Sequence, residues 1–170
     1  AKEGEDVWVY VKIDEKLSVE PTFTIAGKEV KIIQREELKS GYKYAALLKM
    51  TEDIPEGNIE FKVSGYTDVA GNVGEDITVT TDGSKIIYDR TAPEIKPSYW
   101  TKDVEADKTV EEFTDLPTVE VSDNLCDKEN ITLKLTNNTV DMGNVGNYFI
   151  RYQAIDEAGN VASNKIFINV

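Results

Sequence analysis

The pentapeptide pattern Asp-x-Ala-Gly-Asn occurs twice in this chain, and the interval between the two copies constrains the fold more than any other feature. The copies are Asp68–Asn72 and Asp156–Asn160, an offset of 88 residues. Each follows a short apolar segment that opens on a glycine, Gly57 in the first half and Gly146 in the second. Because one immunoglobulin-type β-sandwich takes about 100 residues, the repeat predicts two small sandwich domains within the 170 residues.

The hydropathy pattern indicates β-structure throughout the chain. Apolar residues recur at every second position in short runs that Gly, Asn, Asp and Pro interrupt, as in 7–13 and 148–154. Ala26-Gly27-Lys28 predicts a tight hairpin, and 36–40 could form one helical turn at most. Further runs lie at 23–25, 30–32, 42–50, 59–63, 77–79, 86–88, 119–121, 131–135 and 166–170. The expected fold class is all-β, with two Ig-like β-sandwich domains in tandem.

A domain boundary is predicted next to Pro93. Proline lacks the N–H group that an interior strand requires, so the segment 89–93 is assigned to a linker. The predicted domains are residues 1–90 and 91–170.

The two copies of the repeat differ in length by one residue. The interval from the glycine to the aspartate is 11 residues in the first copy and 10 in the second. A β-bulge at Ser64-Gly65 would absorb the extra residue.

Composition argues against several classes of function. The 32 acidic and 19 basic side chains give a net charge of −13, which repels nucleic acid and anionic membrane surfaces. This acidity is spread over both predicted domains, at −6 and −7. The chain has no histidine and one cysteine, Cys126, so it lacks the commonest general base and any internal disulfide. No apolar run exceeds five residues, so we expect no membrane insertion. The net charge argues against a nucleic-acid partner, and the lack of histidine argues against an enzyme.

Several segments together resemble the bacterial Ig-like and HYR-like repeats of cell-surface and secreted proteins, in particular those of Gram-positive bacteria. In the second half these segments are 89–95, 121–124, 146–148, 152–156 and 158–160. The first half resembles such a repeat from 7–11 through 68–72, but it lacks the leading Asp-x-Thr-Ala-Pro segment and its first strand. The resemblance implies an extracellular location and a chain that begins inside a repeat of a longer array. It is unspecific for function.

Two functional hypotheses follow. In the first, the domains are non-catalytic spacers of a larger surface or secreted protein; they are monomeric and contact mainly neighbouring domains of the same polypeptide. In the alternative, they form an adhesin-type module that binds a host protein or a glycan. Exposed aromatic residues would favour binding, and the candidates are Trp8, Tyr10, Tyr99 and Trp100. Because Trp8 and Tyr10 alternate with valines, packing against the other sheet is the simpler interpretation of these two.

The expected cofactor is a structural calcium ion at the domain junction. In an Ig-type sandwich, the incoming chain and the loops after the second and sixth strands meet at one end. This brings together Asp89, Asp123, Asn124, Asp156 and Asn160. Carboxylate and amide oxygens are ligands that Ca²⁺ prefers, and related repeats of bacterial adhesins use aspartates in this way. The alternative is that all five residues only shape turns, for which Asp and Asn are the expected residue types.

Two further expectations concern other polar residues. Asp68 and Asn72 should bind calcium weakly or not at all, because the first domain lacks the neighbour that would complete their site. No intramolecular Lys–Asn isopeptide bond is expected, since the strand lysines are predicted to point outward. These lysines are Lys12, Lys62, Lys134 and Lys165.

Overall fold

The computed structural model describes residues 1–39, 41–97, 101–103 and 118–170. Contacts divide the chain into a first unit, Ala1–Asp89, and a second unit, Arg90–Val170, one residue before the boundary inferred from the sequence. The described residues form β-strands and one short 3₁₀ turn, which confirms the all-β fold class. Within these residues, no helix has the length and apolar character needed to cross a membrane.

The first unit is built from short antiparallel strands. Its strands are β1 (Asp6–Ile13), β2 (Leu17–Val19), β3 (Thr22–Ile25), β4 (Lys28–Val30), β5 (Ile32–Leu38), β6 (Gly41–Lys49), β7 (Gly57–Asn58), β8 (Phe61–Ser64), β9 (Thr67–Asp68) and β10 (Ile87–Tyr88). One sheet has the order β1-β6-β5 and a second has the order β4-β3-β8. Two short pairs, β2 with β9 and β7 with β10, accompany them.

The core of the first unit lies between its two larger sheets. Val11, Tyr44 and Ala46 come from β1 and β6, and they pack with Phe23 and Val63 from β3 and β8. A second cluster of buried residues extends this core and consists of Val7, Ile25, Met50, Ile54, Ile59 and Tyr88. Side chains from two facing sheets therefore share one interior, which is the arrangement of a β-sandwich.

Local sequence signals determine the turns of the first unit. Ala26 and Gly27 both have positive φ, +49° and +72°, and join β3 to β4 as a two-residue hairpin, as predicted. Gly65 has a φ of +72° and interrupts the chain between β8 and β9, where the extra residue of the first copy was expected. The possible helical turn at 36–40 is not formed, because 36–38 belong to β5 and pair with β6.

The second unit also has two layers. Its strands are β11 (Glu94–Lys96), β12 (Thr101–Asp103), β13 (Glu120–Ser122), β14 (Thr132–Asn138), β15 (Asn147–Ile155) and β16 (Val161–Asn169). β11 pairs with β13, and a second sheet has the order β12-β16-β15-β14, with β12 parallel to β16. The core between these layers consists of Ile95, Val121, Cys126, Ile131 and Ala154.

Two features of the second unit concern predicted residues. The Tyr148 hydroxyl donates a hydrogen bond to the Asn144 carbonyl at 2.9 Å, the backbone contact expected of a tyrosine corner. Leu133 and Leu135, which marked a strand in the hydropathy pattern, are 37% and 53% exposed. They lie on β14, the last strand in the order of its sheet, where no strand within the described residues covers the outer flank.

Candidate metal centre

Both copies of the repeated motif form the same hydrogen-bonded turn. The Asp68 carboxylate accepts bonds from the backbone N–H of Asn72 at 2.8 Å and from its side-chain amide at 2.7 Å. Asp156 accepts the corresponding bonds from Asn160 at 2.8 and 2.9 Å. The glycine of each copy takes a positive φ, but the asparagines do not, since Ala26 is the only described non-glycine residue with positive φ. The predicted turn is confirmed, and asparagine acts through its hydrogen bonds.

Asp123 is held by the loop that follows β13. Its Oδ1 accepts hydrogen bonds from the backbone N–H groups of Leu125 and Cys126, both at 2.9 Å. The Cys126 side chain is buried in the core of the second unit, so this loop is fixed to the interior. Asp123 Oδ2 is also buried, and it has no hydrogen-bond partner within the described part of the chain.

Three of the predicted ligands come together. Asp89, Asp123 and Asp156 each place one carboxylate oxygen within 4.8 Å of the other two. Asp89 and Asp156 are 3% and 6% exposed, and Asp123 is half-buried. Asp89 directly precedes the second unit, while the other two residues lie on its loops after β13 and β15.

The two asparagines that were predicted as ligands differ in their surroundings. Asn160 uses its amide nitrogen to bind the Asp156 carboxylate, and Asn124 is exposed on the surface. The structure therefore assembles the three carboxylates, with Asn160 orienting one of them. The turn-forming role is observed for Asp123 and Asp156, and it coexists with their proximity to Asp89.

The electrostatics of the cluster favour a cation. Two carboxylate oxygens within 4.8 Å of each other repel by about 3.5 kcal/mol or more at an effective dielectric of about 20, and burial of Asp89 and Asp156 limits the screening by water. An unpaired buried carboxylate oxygen such as Asp123 Oδ2 adds a desolvation cost of about 1–3 kcal/mol. A divalent cation bound by the three groups would remove both costs.

The equivalent turn of the first unit has a different environment. Asp68 is half-buried and belongs to no group of three clustered carboxylates among the described residues. The side-chain and backbone hydrogen bonds from Asn72, with a smaller contribution from the backbone N–H of Ala70, hold the pKa of Asp68 below its ordinary value. The first copy is thus a turn with a stabilised anion.

The aromatic candidates divide into two pairs. Trp8 and Tyr10 lie on the outer side of β1, 37% and 55% exposed, with parallel rings 5.6 Å apart. Lys43 places its ammonium group 5.2 Å from the centre of the Tyr10 ring. Packing of these rings against the other sheet, the simpler interpretation, was wrong, because the opposite side of β1 faces the core. Tyr99 and Trp100 lie outside the described residues.

Cys126 is a core residue. Its side chain is 7% exposed and packs in the cluster of the second unit. Burial raises the pKa of the Cys126 thiol, so the reactive thiolate is disfavoured at neutral pH. Cys126 is therefore a structural side chain of the second unit.

Sequence reasoning missed one arrangement of charges. Lys134, Arg151 and Lys165 lie on three adjacent strands of the second unit, although the domain is acidic as a whole. Strand alternation had placed Lys134 and Lys165 outward. The signal that was overlooked is that β14, β15 and β16 contain no aspartate or glutamate.

Comparison with known proteins assigns no family. No protein-family model matches the chain, and no curated protein matches it. The solved structure of protocadherin gamma C5 EC1-3 is similar, with a TM-score of 0.40 and 13% identity over 91% of this chain and 56% of that one. The protocadherin gammaB7 EC3-6 cis-dimer structure gives a TM-score of 0.38 and 11% identity over 99% and 51%. The chain spans about half the length of these structures, and similarity at this level identifies no function.

Proposed function

We propose that this chain is a pair of non-catalytic Ig-like modules of a larger bacterial surface or secreted protein, where the modules space and position other domains. We further propose that Asp89, Asp123 and Asp156 hold a structural calcium ion. The observation that carries the calcium proposal is their convergence within 4.8 Å, two of them almost fully buried. The modules act as monomers, and their main partners are neighbouring domains of the same polypeptide.

The spacer role is supported by the chemistry that the chain offers. It contains no histidine, and its one thiol is buried in a core. Its buried apolar side chains form the cores of two small β-sandwiches. The repeated motif of each half forms a tight turn and supplies no nucleophile. Tandem sandwiches of this kind provide a stable length of folded chain between other domains.

Calcium fits the donor set better than other common ions. Ca²⁺ takes six to eight oxygen ligands at about 2.3–2.6 Å and tolerates irregular geometry. The carboxylates of Asp89, Asp123 and Asp156 supply up to six oxygens in total, and three of these already accept turn hydrogen bonds. Backbone carbonyls or water would complete the shell. Neither histidine nor an accessible thiolate is present to favour zinc.

The proposed calcium site also fits an extracellular location. Extracellular calcium modules bind with dissociation constants of about 10⁻⁴–10⁻³ M, so they are filled outside cells, where calcium is abundant. A site that draws its charged ligands from three carboxylates suits this range. The predicted resemblance to bacterial surface repeats agrees with this location.

Cys126 provides a probe for the experiment because it is the only thiol and lies in the second unit. Its alkylation rate should report how often the second unit opens. Calcium at 100 times its dissociation constant should stabilise the folded unit by about 2.7 kcal/mol and slow labelling about 100-fold. The measurement compares labelling rates and thermal melts of the wild-type chain in EDTA, calcium and magnesium.

Matched isosteric variants distinguish a metal ligand from a turn residue. Asp123→Asn keeps the oxygen that accepts the turn hydrogen bonds but removes one charge. We expect it to lose the calcium response and to be at least as stable as wild type in EDTA, because repulsion is relieved. Asp68→Asn, in the turn of the first unit, should leave the calcium response intact. An unchanged calcium response in Asp123→Asn, or none in wild type, would exclude the site.

A further inference from the structure

One sheet face of the second unit is cationic. Arg151 and Lys165 lie directly opposite each other on β15 and β16, so they share a face. Lys134 on β14 lies opposite Gln153, two residues from Arg151 along β15, and belongs to the same face. β14, β15 and β16 contain no acidic residue. Although residues 91–170 have a net charge of −7, the charged side chains that these three strands contribute to the face are all basic.

This arrangement is unfavourable without an anion. Like charges directly opposite each other on a sheet are destabilising, and Arg151 and Lys165 occupy such a pair. None of the three basic side chains forms a salt bridge with a carboxylate among the described residues. The nearest acidic residue in the sheet, Asp103 on β12, lies at the far end of the face and accepts a hydrogen bond from Asn169 at 2.7 Å.

An aromatic ring orients two of the cations. The Arg151 guanidinium lies 5.8 Å and the Lys165 ammonium 4.6 Å from the centre of the Phe149 ring. Such cation–π contacts hold both groups while leaving their N–H donors available. Phe167, directly opposite Phe149, is 38% exposed.

We propose that this face binds an oligosaccharide that carries carboxylate groups, that is, a uronic-acid glycan. The Arg151 guanidinium can bind a carboxylate through two parallel hydrogen bonds, and Lys165 and Lys134 supply further positive charge. Gln153 and Ser163 form the adjoining row of the face and offer hydrogen-bonding groups for sugar hydroxyls.

Charge complementarity favours this ligand over other anions. A long polyanion such as nucleic acid would meet the acidic remainder of a chain with net charge −13. A short acidic glycan carries few charges, and at physiological salt repulsion from groups more than about 8 Å away is largely screened. An acidic peptide would use the cations but would have little need for Gln153 and Ser163.

The test measures binding to the whole chain by isothermal titration calorimetry. Tetragalacturonate is the probe, maltotetraose is the neutral control, and tetraglutamate is the acidic peptide. Each is titrated in EDTA and again in calcium, so that bridging by calcium is separated from direct contact. Of the three probes, we expect only tetragalacturonate to bind, and we expect it to bind in both buffers. Added sodium chloride should weaken this binding because the contacts are charged.

Variants locate the binding face. Arg151→Gln should lower the affinity about tenfold or more, since it removes a charge-assisted pair of hydrogen bonds, and Lys134→Gln should lower it less. Lys96→Gln is the matched control, because Lys96 lies in the same unit and pairs with Glu94 at 3.1 Å. Lys134 is exposed on β14, and its replacement should not disturb folding. Lys134→Gln therefore still tests the proposal if Arg151→Gln does not fold.

Several results would overturn the proposal. They are the absence of tetragalacturonate binding, equal binding of tetraglutamate or maltotetraose, binding only in calcium, and an affinity that Arg151→Gln and Lys134→Gln both leave unchanged. The proposal goes beyond the spacer function and does not depend on the calcium site. Either can fail while the other holds, because their variants and readouts are separate.

Discussion

Asn160 donates both its backbone N–H and its side-chain amide to the carboxylate of Asp156, at 2.8 and 2.9 Å. The pair closes the turn between β15 and β16 and holds the carboxylate in the orientation that faces Asp89 and Asp123. Asn72 binds Asp68 in the same way in the first unit, where no such cluster forms among the described residues. The same hydrogen-bonded turn therefore occurs both beside a carboxylate cluster and away from one.

We expect Asn72→Ala and Asn160→Ala to differ in their response to calcium. Each substitution removes one side-chain hydrogen bond to a charged group and should cost about 1.5–3 kcal/mol in EDTA. The loss in Asn72→Ala should be the same with calcium, whereas Asn160→Ala should also weaken calcium binding because Asp156 is no longer oriented. Calorimetric melts of the whole chain in both buffers measure this, and equal calcium dependence in the two variants would contradict it.

Tyr148→Phe should destabilise the second unit by about 0.5–1.5 kcal/mol, the usual net contribution of one hydrogen bond. The hydroxyl bond to the Asn144 carbonyl is lost while the ring remains in place. Tyr10→Phe is the control, because Tyr10 is 55% exposed on the first unit and its change should stay within about 0.5 kcal/mol. Urea unfolding followed by circular dichroism, which reports both units, detects the difference, and similar effects of both variants would argue against a contribution of the Tyr148 hydrogen bond.

Gly74→Ala should destabilise the first unit by about 1–3 kcal/mol through steric overlap. A Cβ atom at Gly74 would lie 1.9 Å from the Tyr66 ring, whose hydroxyl is held by the Glu75 carbonyl at 2.8 Å. Gly143→Ala is the matched control, since its Cβ would meet only the flexible Asp141 carboxylate at 3.4 Å. Thermal melts compare the two, and a neutral Gly74→Ala would show that the ring can move away without cost.

Asp53 should make stability depend on pH in the acidic range. Hydrogen bonds from Lys28 and Thr51 lower the pKa of Asp53 from 3.8 to about 2. Because the folded-state pKa is depressed, its contribution is complete above about pH 4 and is lost as the pH falls towards 2. The difference in melting temperature between wild type and Asp53→Asn should therefore shrink over that interval. Asp14→Asn, whose carboxylate is 3.7 Å from Lys12, is the control for a general effect of charge removal. A difference that stays constant from pH 6 to pH 2 would contradict the assignment.

The sequence alone was sufficient for the features that depend on near neighbours in the chain. Alternation identified the longer strands such as β1, β6 and β15, because a pleated strand places successive side chains on opposite faces. It also marked 77–79, where the structure has only an isolated bridge at Ile77, and it did not predict β2, β11 and β12. Ala26-Gly27 and the two Asp-x-Ala-Gly-Asn segments identified turns, since backbone angles and hydrogen bonds over five residues or fewer close them. Alternation also placed Lys134 and Lys165 outward.

Only the tertiary structure decided which distant residues meet. Asp89, Asp123 and Asp156 come from three separate stretches, and their mutual distance depends on how loops after different strands are placed. The prediction of the five ligands by analogy with an Ig-type sandwich correctly grouped these three carboxylates. It could not foresee that the Asn160 amide nitrogen binds Asp156 while Asn124 faces solvent.

The same distinction applies to surfaces. The sequence specifies that Trp8 and Tyr10 share a side of β1, but only the packing of β3 and β8 against the other side left both rings exposed. Arg151 and Lys165 are 14 residues apart in the chain, and the register between β15 and β16 places them opposite each other. Periodicity determines on which face of its own strand a residue lies, since that is a property of the local backbone. Pairing register and sheet packing determine its neighbours, because those depend on contacts between segments far apart in the sequence.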